Sequence, residues 1–457
     1  MRRIPVKIGG RGLLFTLVLG GVLLLGRGFP PAQAEVFDPT SFTLDNGLQV
    51  VVVENHRAPI VNQMIWYRVG SADEPRGKSG IAHFLEHLMF KGTDTLAPGE
   101  FSKIIARNGG EENAFTSYDY TGYYQTVAAD RLEIVMQHEA DRMRNLKLTE
   151  EVVLPEREVI LEERRSRVDN NPGSQLGEMR NAVLFLHHPY GTPIIGWEHE
   201  MRGLTTEDAL AFYDSWYAPN NALLVITGDV EPAEVKRLAE KYYGPIARRD
   251  VPERARVQEP PHLADVRVEL ADPLVRQESV SVTYLAPSLR TEEVEGRALA
   301  LQLLDQALSG GATSRFYRRL VVEQGTAVSA GARYGGDDYD MSSFTFYVSP
   351  RDGVELGGAE AALRSEIEAL IAEGITAEEL EKAKRSLRGI AVYARDSISA
   401  PGRIIGTSLM AGATLEDIET WPERIEALTL EEVNAAIEAV FKDAHSVTSI
   451  LKQEPTS

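Results

Sequence analysis

Two histidines stand four residues apart in the apolar stretch SGIAHFLEHLMFKGT (79–93), and a glutamate precedes the second. On an α-helix, side chains at positions i and i+4 project from one face about 6 Å apart. His83 and His87 can therefore direct one ring nitrogen each at a common point, as a divalent metal ion requires. Glu86 lies close enough to reach a water at that point without being a ligand. The alternative is that both histidines pack in the core and Glu86 lies on the surface.

Two histidines, one carboxylate and an open position make the usual catalytic zinc site, which activates water for attack on a carbonyl group. The third ligand is expected on another rigid element. A long charged helix, predicted from about Glu150 to Val168, offers LPEREVILEERRSRV (154–168). Glu156 and Glu163 are seven residues apart in it and share an apolar face, where a carboxylate is costly unless it meets a cation.

The opposite side of this helix carries the other two carboxylates, Glu158 and Glu162. They stand near three arginines, so we interpret this side as solvated: Arg157, Arg164 and Arg165. Pro155 lies within the first turns, and a helix start at this proline is the alternative to a start at Glu150.

The composition is that of a globular protein of 457 residues, with 43% hydrophobic and 25% charged residues. This length indicates two to four domains. The formal charge of -20 argues against a nucleic-acid partner, whose binding face would be basic. The chain has no cysteine, so disulfides and thiolate ligands are excluded, and any metal must be held by His, Asp or Glu.

The first 34 residues predict a secretory signal peptide. MRRIPVKIGGRG is basic, LLFTLVLGGVLLLG is an apolar run of 14, and PPAQA ends in small residues, a pattern cut after Ala34. The alternative, an uncleaved membrane anchor, needs about 20 apolar residues. We therefore expect an exported protein, periplasmic if the source is a Gram-negative bacterium, without a stable membrane anchor after cleavage.

Strands and helices alternate in an α+β pattern whose order occurs twice. QESVSVTYLAPS corresponds to NQMIWYRVGS, and LQLLDQALSGG corresponds to AHFLEHLMFKG. Four prolines mark a linker between the copies. We predict three segments in the mature chain: an N-terminal domain over 35–248, a linker over 249–264 and a C-terminal domain over 265–457.

Aligning the two helices sets three residues against His83, Glu86 and His87: Gln302, Asp305 and Gln306. The second domain should therefore keep the apolar positions and lack the metal ligands. In the first domain, SFTLDNGLQVVVVEN predicts a β-hairpin. Ser79 is the expected N-cap of the helix that carries the histidines, and Gly92 is its expected end.

The chain resembles the inverzincin peptidases of the pitrilysin/insulinase group, M16, and within it the short two-domain branch (M16B) of mitochondrial processing peptidase and bacterial relatives. HFLEHLMFKGT, NAFTSYDYTGYY and EREVILEE carry the resemblance, which extends over residues 38–455. It implies two homologous α/β-sandwich domains with the LuxS/MPP-like metallohydrolase fold. It also implies a zinc-dependent endopeptidase with one zinc ion per chain and peptide substrates.

The resemblance assigns the site residue by residue. It implies that His83, His87 and Glu163 are the metal ligands, that Glu86 is the catalytic base, and that Glu156 supports the site from behind.

An edge strand in this family pairs with the substrate backbone by β-augmentation. The resemblance places it at five residues here: Glu112, Asn113, Ala114, Phe115 and Thr116. The alternative is an ordinary strand preceded by a turn at Gly109 and Gly110. Adjacent His187 and His188 point apart and are expected to pack in a loop.

This chain lacks two residues that the resemblance leads one to expect in the second domain. Many family members supply an arginine and a tyrosine, seven residues apart, from the second domain to hold the substrate carbonyl and stabilise the oxyanion. Here those positions are Val321 and Val328, and the spacing of Arg318, Arg319 and Tyr334 does not restore the pair.

We therefore predict a heterodimer with a homologous chain that carries the arginine–tyrosine pair. A homodimer or a chain that works alone with weakened oxyanion stabilisation is the alternative. A non-catalytic structural or assembly subunit on the same fold is a competing interpretation from another functional class, and a metal-dependent hydrolase of non-peptide substrates is a third.

Overall fold

The computed structural model describes residues 36–454. The signal peptide predicted over residues 1–34 lies outside the described residues. Within the described part of the chain, none of the helices is both long and apolar enough to cross a bilayer.

The N-terminal half is built on a six-stranded mixed sheet. Its strands are β1 (Thr40–Thr43), β2 (Gln49–Glu54), β3 (Ile60–Tyr67), β4 (Glu111–Thr116), β5 (Thr121–Ala128) and β6 (Ala222–Gly228). Their spatial order is β1-β2-β6-β3-β5-β4. β2 and β6 run parallel, and the other neighbours are antiparallel. The predicted hairpin is β1 with β2, and β4 is an edge strand.

Eight helices belong to this half: α1 (Ile81–Leu88), α2 (Glu100–Arg107), α3 (Leu132–Asn145), α4 (Glu150–Arg164), α5 (Pro172–Leu184), α6 (Glu198–Met201), α7 (Thr206–Trp216) and α8 (Pro232–Tyr242). Apolar side chains of α1, α3, α4, α7 and α8 pack on one face of the sheet. The valine run of β2 is buried because both faces of the sheet are covered.

The C-terminal half repeats this sheet without the outer strand. Its strands are β7 (Val266–Asp272), β8 (Ser279–Ala286), β9 (Ala327–Tyr334), β10 (Ser342–Pro350) and β11 (Val447–Gln453). The order β7-β11-β8-β10-β9 matches β2-β6-β3-β5-β4, including the single parallel pair. The predicted fold class, α+β with two similar mixed-sheet domains, is confirmed. The exact domain boundaries stay a prediction.

The helices of this half are α9 (Arg297–Ser309), α10 (Leu356–Glu373), α11 (Ala377–Asp396), α12 (Ala400–Met410), α13 (Leu415–Glu419), α14 (Trp421–Ala427) and α15 (Leu430–Phe441). Those that pack against the second sheet to form its core are α9, α10, α11 and α15.

One helix of each half packs against the sheet of the other half. α12 packs on the outer face of the first sheet, where Ile405 and Met410 join Val51, Val225 and Trp66 in one apolar cluster. α5 packs in the same way on the outer face of the second sheet. The two halves are therefore held together by exchanged helices as well as by the chain that connects them.

The helix that carries the histidines does not have the predicted ends. α1 begins at Ile81, because Gly80 takes a left-handed conformation (φ +86°) and the Glu74 carboxylate accepts hydrogen bonds from the amides of Gly80 and Ala82, both at 2.9 Å. Ser79 is therefore not the N-cap. The helix ends at Leu88, four residues before Gly92.

The second half starts its matching helix in the same manner. α9 follows Gly296 (φ +84°), and Glu292 accepts hydrogen bonds from the amides of Gly296 and Ala298 at 3.0 and 2.7 Å. Aligned on these two caps, His83, Glu86 and His87 lie against Leu299, Gln302 and Leu303, three residues from the alignment taken from the sequence. A shift of three keeps apolar helix positions aligned, and the alignment with Gln302, Asp305 and Gln306 stays a prediction. The second half still lacks the ligands.

Two details of α4 also differ from expectation. Pro155 lies inside the helix, which starts at Glu150. Arg164, assigned to the solvated side, is 6% exposed and contacts the carboxylate of Glu178 and the carbonyl of Gly196. Its partners lie on other elements, and local periodicity therefore did not indicate them.

Candidate metal centre

His83 and His87 lie one turn apart on α1 and face Glu163 in the last turn of α4. Oε2 of Glu163 is 3.4 Å from Nε2 of His87 and 3.7 Å from Nε2 of His83. One ligand atom from each residue lies within 4.8 Å of the others. Tetrahedral zinc with bonds of about 2.0–2.2 Å separates its ligand atoms by about 3.3 Å. The arrangement therefore fits a zinc ion.

The carboxylate of Glu163 is turned so that one oxygen faces the histidines. Its Oε1 pairs with Nη1 of Arg167 at 2.6 Å. Its Oε2 is buried and has no hydrogen-bond partner among the described residues. A buried carboxylate oxygen without a partner is destabilising, and a cation at this point would satisfy it.

Glu156 orients the second histidine from behind. Nδ1 of His87 lies 2.9 Å from Oε1 of Glu156, and Nζ of Lys91 contacts the other oxygen of the same carboxylate. A proton held on Nδ1 leaves the lone pair of Nε2 free for a metal ion, which is the usual role of such a partner.

The two imidazoles differ in their proton affinity. Burial, followed by the charge of His87, lowers the pKa of His83 to about 4, so this ring is neutral and able to ligate at neutral pH. Burial alone would lower the pKa of His87, but the carboxylates of Glu156 and Glu163 outweigh burial and raise it to about 9. Metal binding at neutral pH therefore has to displace a proton from His87.

Glu86 does not belong to the ligand cluster and lies beside it. Its side chain is 8% exposed, and its Oε2 accepts a hydrogen bond of 2.6 Å from the hydroxyl of Thr116. Burial raises the pKa of Glu86, and the Thr116 hydroxyl opposes that rise. A carboxylate with a raised pKa at a metal site is suited to accept and return a proton.

A cavity of about 780 Å³ opens over the centre. Its lining includes His83, Glu86, His87 and Glu163. It also includes the last four residues of edge strand β4: Asn113, Ala114, Phe115 and Thr116. Glu112, the first residue of the predicted substrate strand, does not line it. The structure thus brings the metal cluster and an open sheet edge to the same cavity.

The remaining predicted residues lie elsewhere. His188 is buried in a loop, where Nδ1 accepts from the amide of Tyr190 and Nε2 lies 3.2 Å from Asp340. Val321 is buried in the second half and Val328 is exposed on β9. Among the described residues, none from the second half lines the cavity over the metal centre.

Two site residues were missed in the sequence. Arg167 follows Glu163 by four positions and holds its outer oxygen, and Lys91 follows His87 by four positions and holds Glu156. The i, i+4 spacing would have indicated the contact of Arg167 with Glu163. The contact of Lys91 with Glu156 joins two different elements, and local spacing does not indicate it.

Comparison with known families gives two adjacent matches. The model described as insulinase (peptidase family M16) matches residues 49–198. The model described as the peptidase M16 inactive domain matches residues 203–387. The first match contains the metal centre and the second contains most of the half without ligands.

Individual relatives match nearly the whole chain. Zinc protease PqqE of Helicobacter pylori is 30% identical over 442 residues, which cover 95% of this chain and 98% of that protein. An uncharacterized zinc protease of Mycobacterium leprae is 31% identical over 401 residues, covering 86% of this chain and 87% of that protein.

Solved structures agree with the fold described above. The crystal structure of a protease from Helicobacter pylori superposes with a TM-score of 0.85 at 30% identity, covering 91% of this chain and 99% of that one. The periplasmic protease PqqL from Escherichia coli superposes with a TM-score of 0.77 at 22% identity, covering 90% of this chain and 47% of that one. At this lower identity the likeness concerns the fold alone.

Proposed function

The chain belongs to the M16 (insulinase) family of zinc metalloendopeptidases, and we propose that it cleaves extended or unfolded peptides with Glu86 as the general base. The family, the enzyme class and the zinc cofactor predicted from the sequence are confirmed. The observation that carries the finer proposal is the position of Glu86, buried beside the ligand cluster and facing the same cavity as β4.

In the proposed mechanism His83, His87 and Glu163 would hold the zinc ion. When bound, the ion would supply Lewis-acid chemistry at the scissile carbonyl and at the attacking water. Glu86 accepts the proton of the attacking water and returns it to the leaving amine. Glu156 keeps the ring of His87 in the ligating orientation, and Arg167 does the same for the carboxylate of Glu163.

We propose that the substrate adds a strand to β4. The strand is an edge of the sheet, and its residues line the cavity over the metal cluster. Oδ1 of Asn113 accepts a hydrogen bond from the amide of Ala114 at 2.8 Å, so an entering peptide would replace this side chain with its own carbonyl. Such pairing requires an extended backbone, which supports unfolded segments as substrates.

Substitution at the centre separates metal binding from turnover. Glu86→Gln should retain zinc and lose peptide hydrolysis, because the base is removed and the ligands are intact. His83→Ala or Glu163→Ala should lose zinc as well. Glu162→Ala is the matched control for Glu163→Ala, because Glu162 is the preceding residue of α4 and pairs with Arg165 at the surface. Zinc content and cleavage of a quenched peptide library measure both properties. Turnover in Glu86→Gln would contradict the assignment of the base.

We further propose that the active form is a heterodimer. The arginine and tyrosine positions are Val321 and Val328, and among the described residues the second half contributes nothing to the metal cavity. A homologous chain that carries the pair can complete the cavity from outside. The intact ligand set argues against a purely structural subunit.

The heterodimer is tested with the purified chain. Alone it should bind zinc and cleave peptides poorly, and co-expression with a homologous chain carrying the arginine–tyrosine pair should restore activity and yield a mixed dimer by light scattering. Full activity of the isolated chain, as a monomer or homodimer, would contradict the proposal.

We also propose export, on the basis of the pattern in residues 1–34. A periplasmic product whose first residue is Glu35 would support it, and an uncleaved product in the cytoplasm would contradict it.

A further inference from the structure

A second cluster of potential metal ligands lies at the edge of the first sheet where β2 and β6 end. These strands run parallel, so their carboxyl ends meet at the same edge, with Glu54 opposite Gly228. The segments that follow are tied together by hydrogen bonds from the amide of Asn55 to the carbonyl of Gly228 (2.8 Å) and from the amide of Asp229 to the carbonyl of Ile60 (3.0 Å). The side chains on these segments are therefore carried by a fixed backbone.

Three of these side chains converge. Glu54, His56 and Glu231 each offer one ligand atom, and these atoms lie within 4.8 Å of one another. Nε2 of His56 is 3.9 Å from Oε1 of Glu54, and its Nδ1 is 2.7 Å from Oδ1 of Asp229. A proton on Nδ1 donated to Asp229 directs the lone pair of Nε2 towards the two glutamates.

This arrangement repeats the one at the catalytic centre. There, Glu156 binds Nδ1 of His87 at 2.9 Å while Nε2 faces the carboxylate of Glu163. In both places a carboxylate holds one ring nitrogen and the other nitrogen faces a second carboxylate. The new cluster lies on strands and loops rather than on α1 and α4, and it is independent of the peptidase motif.

Within the described residues, the imidazole of His56 is the one group with a cationic form that lies against the carboxylates of Glu54 and Asp229. Among residues 36–454, no lysine or arginine nitrogen lies within 4.0 Å of the carboxylates of Glu54, Asp229 or Glu231. Arg57 is adjacent in sequence but pairs with Asp396. A cavity of about 300 Å³ borders the cluster, and its lining also contains Asp130 and Glu133, which pair with Arg131 and Lys241.

We propose that Glu54, His56 and Glu231 bind a second divalent transition-metal cation, with Asp229 orienting the imidazole. One imidazole nitrogen and carboxylate oxygens form a ligand set suited to zinc or manganese rather than to calcium, which takes oxygen ligands only. The neighbouring Arg57 contacts Asp396 at 2.6 Å and the carbonyl of Arg395 at 2.9 Å in the second half. A cation at His56 therefore stabilises the loop after β2, which contacts the second half through Arg57.

The test counts zinc ions in the full-length mature chain. Equilibrium dialysis with Zn²⁺ should give two equivalents for the natural sequence and one for His56→Gln/Glu231→Gln. In a His83→Ala/His87→Ala background one equivalent should remain, and adding His56→Gln/Glu231→Gln should remove it. The matched control is His199→Gln, an exposed histidine with one carboxylate near its ring, which should change neither count.

A second readout uses thermal unfolding. In the His83→Ala/His87→Ala background Zn²⁺ should raise the unfolding temperature, Ca²⁺ should not, and His56→Gln/Glu231→Gln should abolish the rise. Peptide hydrolysis of the zinc-loaded His56→Gln/Glu231→Gln variant should equal that of the natural sequence, so this inference can fail while the proposed function stands. A single zinc equivalent in the natural sequence, or a second equivalent that survives His56→Gln/Glu231→Gln, would overturn the inference.

Discussion

At the scale of single residues, the centre depends on how each carboxylate is partnered. Glu163 has one oxygen held by Arg167, and its other oxygen faces the two histidines, as the proposed ligand role requires. Glu156 is engaged by both His87 and Lys91, as the proposed supporting role requires. Glu86 is buried with a single hydroxyl partner, which suits the proposed base. The different partners of the three glutamates thus support three different proposed roles.

Removing the hydroxyl of Thr116 should change the pH dependence of catalysis. Thr116 donates to the ionised form of Glu86, so Thr116→Val should raise the pKa of Glu86 beyond its already raised value. A hydrogen bond to a charged group contributes about 1.5–3 kcal/mol. Because the base must be ionised, the acid limb of the kcat/KM profile should move to higher pH, with little change on the plateau.

The matched variant Thr116→Ser keeps the hydroxyl and should keep the profile of the natural sequence. An equal shift in both variants would show that the methyl group of Thr116, rather than its hydroxyl, is responsible.

Residue types and spacing were sufficient to find His83, Glu86 and His87 and to place Glu163 among the four candidates on α4. The sequence did not distinguish ligand from support within that helix without the family resemblance, because Glu156 and Glu163 share a face. Glu156 differs from Glu163 through its contact with Lys91, which exists only in the folded chain.

At the scale of elements, helix α1, which carries His83 and His87, is stabilised by the hydrogen bonds at its N-terminus. The amides that open an α-helix have no partner within it. In α1 they are satisfied by Glu74, and in α9 by Glu292. The two helices therefore begin with the same kind of cap. The sequence pattern missed it because a glutamate several residues before a glycine is not a standard capping signal.

The two caps offer a paired experiment. Glu74→Ala and Glu292→Ala each leave two helix amides unpaired, so each should lower the free energy of unfolding of the metal-free chain by about 2–4 kcal/mol. Of the two, only Glu74→Ala should also weaken zinc binding, by about tenfold or more, because α1 carries two of the proposed ligands and α9 carries none. Urea unfolding and zinc titration measure the two effects. Equal loss of zinc affinity in both variants would contradict a local role for the Glu74 cap.

At the scale of the whole molecule, the two halves are more closely joined than their duplication predicted. Alternation and prolines indicated two copies and a linker, and the matching strand orders agree with that. The sequence did not indicate that the side chain of Arg256, in the segment predicted as the linker, is 8% exposed and lies within 3.5 Å of Asp73, Asp119 and Asp340. Nor did it indicate the exchange of α5 and α12. Such contacts join residues far apart in the chain, and local periodicity carries no information about them.

The docking of α12 on the first sheet is tested by two glycines. A Cβ at Gly406 would clash with the ring of Trp66, whereas a Cβ at Gly389 in α11 meets open space. In a helix interior, alanine is more stable than glycine by about 1 kcal/mol. Gly389→Ala should therefore stabilise the chain by up to that amount. Gly406→Ala should instead destabilise it by about 1–3 kcal/mol, because the methyl group forces apart surfaces that belong to different halves. Urea unfolding with tryptophan fluorescence follows both variants. If Gly406→Ala stabilised the chain as Gly389→Ala does, α12 would not be packed against Trp66, and the exchange of helices between the halves would be wrong.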